Sequence, residues 1–204
     1  MYSKIKAICN NLTQKFDEIS FERKELLGKI SSFIQSKKDK NEPIQLMYVC
    51  THNSRRSHFG QIWAAVASEF YAIENISTFS GGTEATAFNI NAINALKEMG
   101  FDVQSKDESN NPIFEVKFSD EKMPTICFSK VYDDAFNPTS NFAAIMTCGD
   151  AEENCPFIPG VDLRIATTYN DPKEFDGTPQ QDEKYRERSL QIALETLYVF
   201  SLIK

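Results

Sequence analysis

The stretch that decides the fold runs from Ile44 to Ser57 and reads IQLMYVCTHNSRRS. Its first residues form a short apolar run, which is typical of a buried strand. Directly afterwards, apolar residues recur at helical spacing at Phe59, Ile62, Val66, Phe70 and Ile73. The pattern predicts a strand, a loop and a helix in succession, with Cys50 where the strand ends and the loop begins.

The same alternation continues along the chain. It predicts strands at 76–80, 142–147 and 161–166, a helix over 89–99 that ends before Gly100, and a last helix with its apolar face at Leu190, Ala193, Leu194, Leu197 and Tyr198. Alternating strands and helices favour an α/β fold with a parallel sheet. Residues 113–119 and 125–132 interrupt the alternation and predict an inserted β-hairpin.

Before this α/β region, the first 40 residues or so predict two amphipathic helices, with Ser20 as the N-cap between them. A polar run at 37–43 then predicts a linker. We therefore expect an N-terminal helical extension and linker at 1–43 and one main domain at 44–204.

The bulk composition excludes several classes of partner. A net charge of -7 and a pI near 5.0 argue against a nucleic-acid groove or an anionic membrane surface. No apolar run has the length of a membrane span, and residues 1–15 lack the core of a secretory signal, so we expect a cytoplasmic protein. In that reducing compartment, the five cysteines predict chemistry or simple burial rather than a disulfide scaffold.

The loop after the first strand has the chemistry of an oxyanion site. Backbone amides and the positive end of a following helix hold a phosphate-like anion, and the same field favours the thiolate form of Cys50. Arg56 can hold two oxygens through its planar guanidinium, and Ser57 can donate its hydroxyl to the sulfur. Asn53 tolerates a positive φ in a tight loop. The alternative interpretation makes Cys50 a core thiol and Arg56 a solvated helix residue.

Residues Cys50 to Ser57 resemble the signature loop of the low-molecular-weight phosphatase superfamily, which includes arsenate reductases. The segment 79–84 and the pair Asp171-Pro172 resemble further parts of that family. The resemblance covers about 44–204, except an inserted region near 105–140. It implies a three-layer sandwich around a four-stranded parallel sheet, with Asp171 as general acid and an oxyanion bound by the loop residues Thr51, His52, Asn53, Ser54, Arg55 and Arg56.

Residues 147–156, TCGDAEENCP, resemble the redox segment of thioredoxin-coupled arsenate reductases. That resemblance implies a relay of three thiols. Cys148 would attack Cys50 once Cys50 carries arsenate, arsenite would depart, and Cys155 would then take over the disulfide for reduction by thioredoxin. The predicted function is therefore reduction of arsenate to arsenite.

Two other functions stay open. A phosphatase acting on phosphotyrosine or small phosphate esters would share Cys50, Arg56 and Asp171, although Lys173-Glu174-Phe175 follows Asp171-Pro172 where tyrosine phosphatases of the family carry tyrosines. A non-catalytic oxyanion-binding or redox-sensing module is the third hypothesis. The proton donor Asp171 argues against it, because binding alone needs no general acid.

Several residues depart from the family pattern. His52 stands where reductases carry glycine. Gln61 replaces a glutamate that some reductases use, together with Asn53 and Ser80, to hold potassium, so no such ion is predicted.

No zinc site and no cofactor are predicted either, since there is no Cys-x2-Cys and the chain has two histidines. We expect Cys9 and Cys127 to be packing residues and His58 to lie at the surface or at a helix cap.

Overall fold

The computed structural model of the chain describes residues 1–149, 151 and 157–204. Its centre is a parallel sheet of four strands in the order β2-β1-β6-β7, where β1 is Ile44–Cys50, β2 is Ile76–Gly82, β6 is Phe142–Met146 and β7 is Val161–Ala166. The predicted α/β fold with a four-stranded parallel sheet is thereby confirmed.

Five α-helices belong to the described part of the chain: α1 is Ser3–Leu12, α2 is Phe21–Asp39, α3 is Arg56–Phe70, α4 is Ile90–Glu98 and α5 is Gln181–Ser201. Short 3-10 helices cover Thr13–Glu18 and Pro172–Phe175. None of the helices in these ranges has the length and apolar character needed to cross a lipid bilayer.

The two predicted helix boundaries with a stated cap are confirmed. The Ser20 hydroxyl accepts a hydrogen bond of 3.2 Å from the Arg23 amide at the start of α2. Gly100, with φ of 99°, follows the end of α4 in the left-handed region that glycine adopts freely. Two details differ from the prediction, since α1 gives way to a 3-10 helix after Leu12 and α2 continues through the polar residues up to Asp39.

The inserted hairpin is also present, but it is shorter than predicted and has an additional strand. β4 (Phe114–Lys117) and β5 (Thr125–Cys127) pair antiparallel, and β3 (Asp102–Ser105) joins β4 on its other side. Together they form a second sheet in the order β3-β4-β5. Residue Val131 then bridges to Gly82, which places the end of this insertion beside the carboxyl end of β2.

Side chains alternate between the two faces of the central sheet. Leu46 and Tyr48 of β1 belong to the main core, which also contains buried residues of all five helices, whereas Met47 and Val49 face a smaller cluster. The N-terminal helices contribute Ile5, Leu27, Ile34 and neighbouring residues to the main core. The smaller cluster contains Cys50 and Cys148, so both thiols pack in the same small core at the ends of β1 and β6.

Candidate active site

The predicted site residues all follow the carboxyl ends of parallel strands. Cys50 ends β1, Cys148 comes two residues after the end of β6, and Asp171 follows β7 by five residues. Because the strands are parallel, these ends meet at one edge of the sheet, which is where α/β proteins bind their ligands. The sequence separation of the three residues is large, but the topology brings their segments to the same edge.

A chain of hydrogen bonds runs from Asn53 through Ser57 to the Cys50 sulfur. Ser57 Oγ lies 3.1 Å from Cys50 Sγ, and Asn53 Nδ2 donates to the same Ser57 Oγ at 2.8 Å. Since an amide nitrogen can only donate, the Ser57 oxygen accepts from Asn53 and its own proton is free to point at the sulfur. The sulfur thus accepts a hydrogen bond from Ser57 in a buried position with 4% exposure.

The turn of the loop depends on Asn53 and Gly82. Asn53 takes the left-handed conformation with φ of 43°, while its Oδ1 accepts from the Lys130 amide at 3.0 Å. A Cβ on Gly82 would lie 2.6 Å from Thr51 O and 2.7 Å from Asn53 N. The loop therefore passes β2 so closely that only glycine fits there.

The other loop residues have separate contacts. Thr51 Oγ1 lies 3.4 Å from Cys148 Sγ, and Ser54 Oγ donates to Ala87 O at 2.7 Å. His52 has a side chain that is 42% exposed, with its Nε2 3.6 Å from Glu84 Oε2. His52 does not take a positive φ; the left-handed residue of the loop is Asn53.

Arg56 is the first residue of α3 and is 8% exposed. Its Nη2 donates to Asp171 Oδ2 at 2.6 Å, and its Nη1 donates to the carbonyl of Tyr169 at 2.7 Å. Its Nε is buried and has no hydrogen-bond partner within the described ranges. The guanidinium thus joins Asp171 and the loop after β7 to the first turn of α3, and it retains one unpaired donor.

Arg55 turns away to a separate set of partners. Its Nε donates to the Tyr185 hydroxyl at 2.8 Å, and its Nη2 lies 3.7 Å from Asp176 Oδ2. Its Nε is also 4.0 Å from Asp171 Oδ1. The Arg55 side chain therefore contacts two acidic residues and a tyrosine, whereas the guanidinium of Arg56 lies at hydrogen-bond distance from Asp171.

The thiols predicted for the relay are only partly described. Cys148 is 1% exposed and accepts a hydrogen bond from the Ala151 amide at 3.4 Å, in addition to its contact with Thr51. Cys155 lies outside the described residues, as do Asp150 and Pro156 of the same motif. Cys9, Cys50, Cys127 and Cys148 are free thiols.

Behind the oxyanion loop lies a buried polar cluster that the sequence did not reveal, consisting of His58, Gln61, Ser80 and Lys130. His58 was expected at the surface or at a helix cap and is in neither place: it is the third residue of α3, after the N-cap Arg55, and is 0% exposed. Its ring lies 4.1 Å from that of Phe88, and its Nδ1 is 3.2 Å from Ser80 Oγ. Burial and the charge of Lys130 hold the pKa of His58 well below its ordinary value of 6.5.

Lys130 is the cation of this cluster. It is 3% exposed, its Nζ donates to Phe128 O at 3.4 Å, and it lies 4.4 Å from the centre of the Phe128 ring. Burial lowers the pKa of Lys130 from 10.5. Gln61 Nε2 donates to the carbonyls of Thr78 and Ile126. Among the described residues, no group of three or more His, Cys, Asp or Glu side chains is arranged to hold a metal ion.

Cys127 and Cys9 are both buried, as expected of packing residues. Burial raises the pKa of each thiol to about 12, so both stay protonated at neutral pH. They differ in this from a nucleophilic cysteine, which has to be available as thiolate.

Comparison with solved structures defines the class. The chain matches a low-molecular-weight phosphotyrosine phosphatase from Vibrio cholerae O395 with a TM-score of 0.51 and 15% identity, covering 78% of this chain and 95% of that one. It matches an arsenate reductase in the phosphate-binding state with a TM-score of 0.53 and 18% identity, covering 79% and 99%. The fold is therefore that of the low-molecular-weight phosphotyrosine phosphatases, which also includes arsenate reductases.

Comparison with curated sequences narrows the resemblance within that class. The chain is 26% identical over 143 residues to an arsenate reductase of Bacillus subtilis, covering 70% of this chain and 84% of the relative. It is 26% identical over 150 residues to an arsenate reductase of Staphylococcus aureus, covering 74% and 92%. No protein-family model matches. These likenesses support an enzyme, either an arsenate reductase or a phosphatase, that acts on an oxyanion substrate.

Proposed function

We propose that this chain reduces arsenate to arsenite through the Cys50 thiolate and a disulfide relay of Cys148 and Cys155. The observation that carries the proposal is the place of Cys148, whose sulfur lies 3.4 Å from the Thr51 hydroxyl of the oxyanion loop. Cys148 and Cys50 also share the smaller core cluster. A phosphatase needs one thiol at this loop, whereas a reductase needs a second one next to it.

In the first step, the oxyanion loop and Arg56 hold arsenate, and the Cys50 thiolate attacks arsenic. A sulfur–arsenic bond forms and an oxygen leaves as water after Asp171 supplies a proton. Arg56 bridges the two functions, because its Nη2 contacts Asp171 and its buried Nε is available to an oxygen. Loop amides stabilise the charge that develops in the transition state.

In the second step, the Cys148 thiolate attacks the Cys50 sulfur. A disulfide forms between the two cysteines while the sulfur–arsenic bond breaks, and its electron pair leaves with arsenic, which becomes arsenite. The two thiols are oxidised and arsenic is reduced by two electrons. Cys155 then attacks Cys148, which releases Cys50, and an external dithiol of the thioredoxin type reduces the Cys148–Cys155 disulfide.

The test is arsenate-dependent oxidation of NADPH in the presence of thioredoxin and thioredoxin reductase. The Cys50→Ser and Cys148→Ser variants are both expected to lose this activity. Cys127→Ser is the matched control, because Cys127 is an equally buried thiol with a contact to Gln61 rather than to the loop. Full activity of Cys148→Ser would refute the relay.

A phosphatase is the second candidate, because it would use the same Cys50 loop, Arg56 and Asp171 and the chain has the fold of a phosphotyrosine phosphatase. Water would then take the second step in place of Cys148. Hydrolysis of an aryl phosphate that is lost in Cys50→Ser, unaffected in Cys148→Ser and accompanied by no arsenate-dependent oxidation would establish this function in place of the reductase.

A further inference from the structure

We propose that Arg23, in the N-terminal helices, is a positioning residue for the oxyanion site and acts on Arg56 through Glu195 and Tyr169. The inference goes beyond the proposed reaction and rests on the role of Arg56 as oxyanion ligand. It also assigns a function to helices that lie outside the resemblance to the phosphatase family.

The first link joins α2 to α5. Arg23 Nε and Nη2 donate to Glu195 Oε2 at 2.9 Å and 2.7 Å, across 172 residues of sequence. The Glu195 side chain is 6% exposed, and that of Arg23 is 21% exposed. A carboxylate this deeply buried needs a cation, since an unpaired charge in the interior is costly.

The second link joins this ion pair to the loop after β7. The Tyr169 hydroxyl donates to the same Glu195 Oε2 at 2.7 Å, and the Arg23 guanidinium lies 4.9 Å from the centre of the Tyr169 ring. Arg23 Nη2 also donates to the carbonyl of Thr168 at 3.5 Å. Burial and the Glu195 charge raise the pKa of Tyr169 well above 10.0, so its hydroxyl stays protonated and continues to donate.

The third link reaches the site itself. The carbonyl of Tyr169 accepts from Arg56 Nη1 at 2.7 Å, and its amide donates to Thr147 O at 3.1 Å, directly before Cys148. Asp171, two residues further on, holds Nη2 of Arg56. The Tyr169 carbonyl thus fixes one side of the Arg56 guanidinium, and the Tyr169 side chain is itself held by Glu195 and Arg23.

An ion pair that only joined two helices would contribute little beyond stability, and apolar residues often replace such pairs without loss. This pair instead shares its carboxylate oxygen with the residue that orients Arg56. Removing Arg23 leaves Glu195 without the cation that donates to its Oε2 and Tyr169 without the guanidinium over its ring. The loop then has more than one position, and Arg56 is no longer held in one orientation for binding an oxyanion.

The test measures binding of inorganic phosphate to the full chain, as protection of Cys50 from iodoacetamide, with the Cys50 peptide quantified by mass spectrometry. Arg23→Met is expected to weaken phosphate affinity by about ten-fold, because a misplaced ligand loses binding geometry. Tyr169→Phe, which removes only the hydroxyl, is expected to weaken it as well. Arg23→Lys keeps the charge and should recover part of the affinity.

Lys29→Met is the matched control, because Lys29 is an exposed basic residue of the same helix. All variants are compared at a temperature where circular dichroism shows each of them folded, so that a loss of affinity does not reflect unfolding. Affinity equal to wild type in Arg23→Met would overturn the inference. If Arg23→Met does not fold, unchanged affinity in Tyr169→Phe overturns it equally.

Absence of an oxyanion site at the Cys50 loop gives a different result from failure of the positioning role, and it is independent of whether the chain is a reductase or a phosphatase. In that case phosphate protects Cys50 in no protein, including the wild type, and the oxyanion site falls together with the role of Arg23. Protection of the wild type with equal protection of every folded variant refutes the positioning role alone.

Discussion

Replacing His58 with glutamine is expected to make the free energy of unfolding less sensitive to acid. His58 is fully buried, with Lys130 close enough to disfavour a second positive charge, and its pKa lies well below 6.5. The folded protein therefore keeps His58 neutral, whereas the unfolded chain binds a proton there as the pH falls through 6.5. Acid stabilises the unfolded state through this residue, so the contribution of His58 to stability is lost below that pH.

The size of the effect follows from proton linkage. One pH unit below the ordinary value of 6.5, protonation lowers the free energy of the unfolded chain by RT ln 11, which is about 1.4 kcal/mol. At one unit above it the same contribution is less than about 0.1 kcal/mol. The His58→Gln substitution also loses the contact with Phe88, and its total cost in unfolding free energy should be smaller at pH 5.5 than at pH 7.5 by about 1.4 kcal/mol.

Urea unfolding of wild type and variant at pH 7.5 and 5.5 measures this difference. Carboxylates titrate over the same range in both proteins, so they cancel in the comparison. His52→Gln is the matched control because His52 is the other histidine of the chain and its side chain is 42% exposed. A cost of His58→Gln that is the same at both pH values would refute the buried, neutral state of His58.

Three further predictions concern the loop and its surroundings. Ser57→Ala is expected to slow alkylation of Cys50 at neutral pH by about ten-fold or more, because a hydrogen bond to a charged group contributes about 1.5–3 kcal/mol. Ser32→Ala, on the exposed side of α2, is the control. An unchanged alkylation rate in Ser57→Ala would contradict the assigned direction of the Ser57 proton. Lys130→Met is expected to raise the unfolding free energy at pH 7 by about 1–2 kcal/mol, as the buried ammonium is removed. Because the folded pKa of Lys130 is lowered from 10.5, the wild type gains stability as the pH rises towards 10, so the advantage of the variant in urea unfolding should shrink there. Lys97→Met, at an exposed lysine, is the control for the loss of a positive charge. Gly82→Ala should lower the thermal unfolding temperature and abolish phosphate protection of Cys50, since its Cβ would meet three backbone atoms within 2.7 Å. Gly28→Ala is the control: its Cβ has nothing within 4 Å in the middle of α2, so it should stabilise the protein by up to about 1 kcal/mol. Equal effects of the two substitutions would refute the close approach of the loop to Gly82.

Local patterns predicted the elements that carry the site. The apolar run at 44–49 and the helical spacing after Arg56 placed Cys50 at the end of a strand, and the structure has β1 ending at Cys50. Strand 161–166 was predicted with the bounds it has. These elements could be predicted because burial of a strand or of one helix face leaves a short-range period in the sequence.

The residues that the sequence placed wrongly or did not reveal depend on contacts between distant parts of the chain, and such contacts leave no short-range period in the sequence. His58 was expected at the surface or at a helix cap. The structure buries it because α3 packs against β1, β2, β5 and α5 and is buried on nearly all sides. β3 has four residues and pairs with a strand of the insertion. Arg23 and Glu195 are polar residues 172 positions apart, and no local pattern links them.

That separation also bears on how the protein is synthesised. Arg23 leaves the ribosome 172 residues before Glu195 of α5. The ion pair of α2 can therefore close only after these further residues have been synthesised, and contacts of such range form late in folding. A nascent chain that already contains the Cys50 loop, Arg56 and Asp171 still lacks the carboxylate that holds Tyr169 in place. On the proposed role of Arg23, the affinity for an oxyanion is expected to reach its full value only after α5 has been synthesised and has docked.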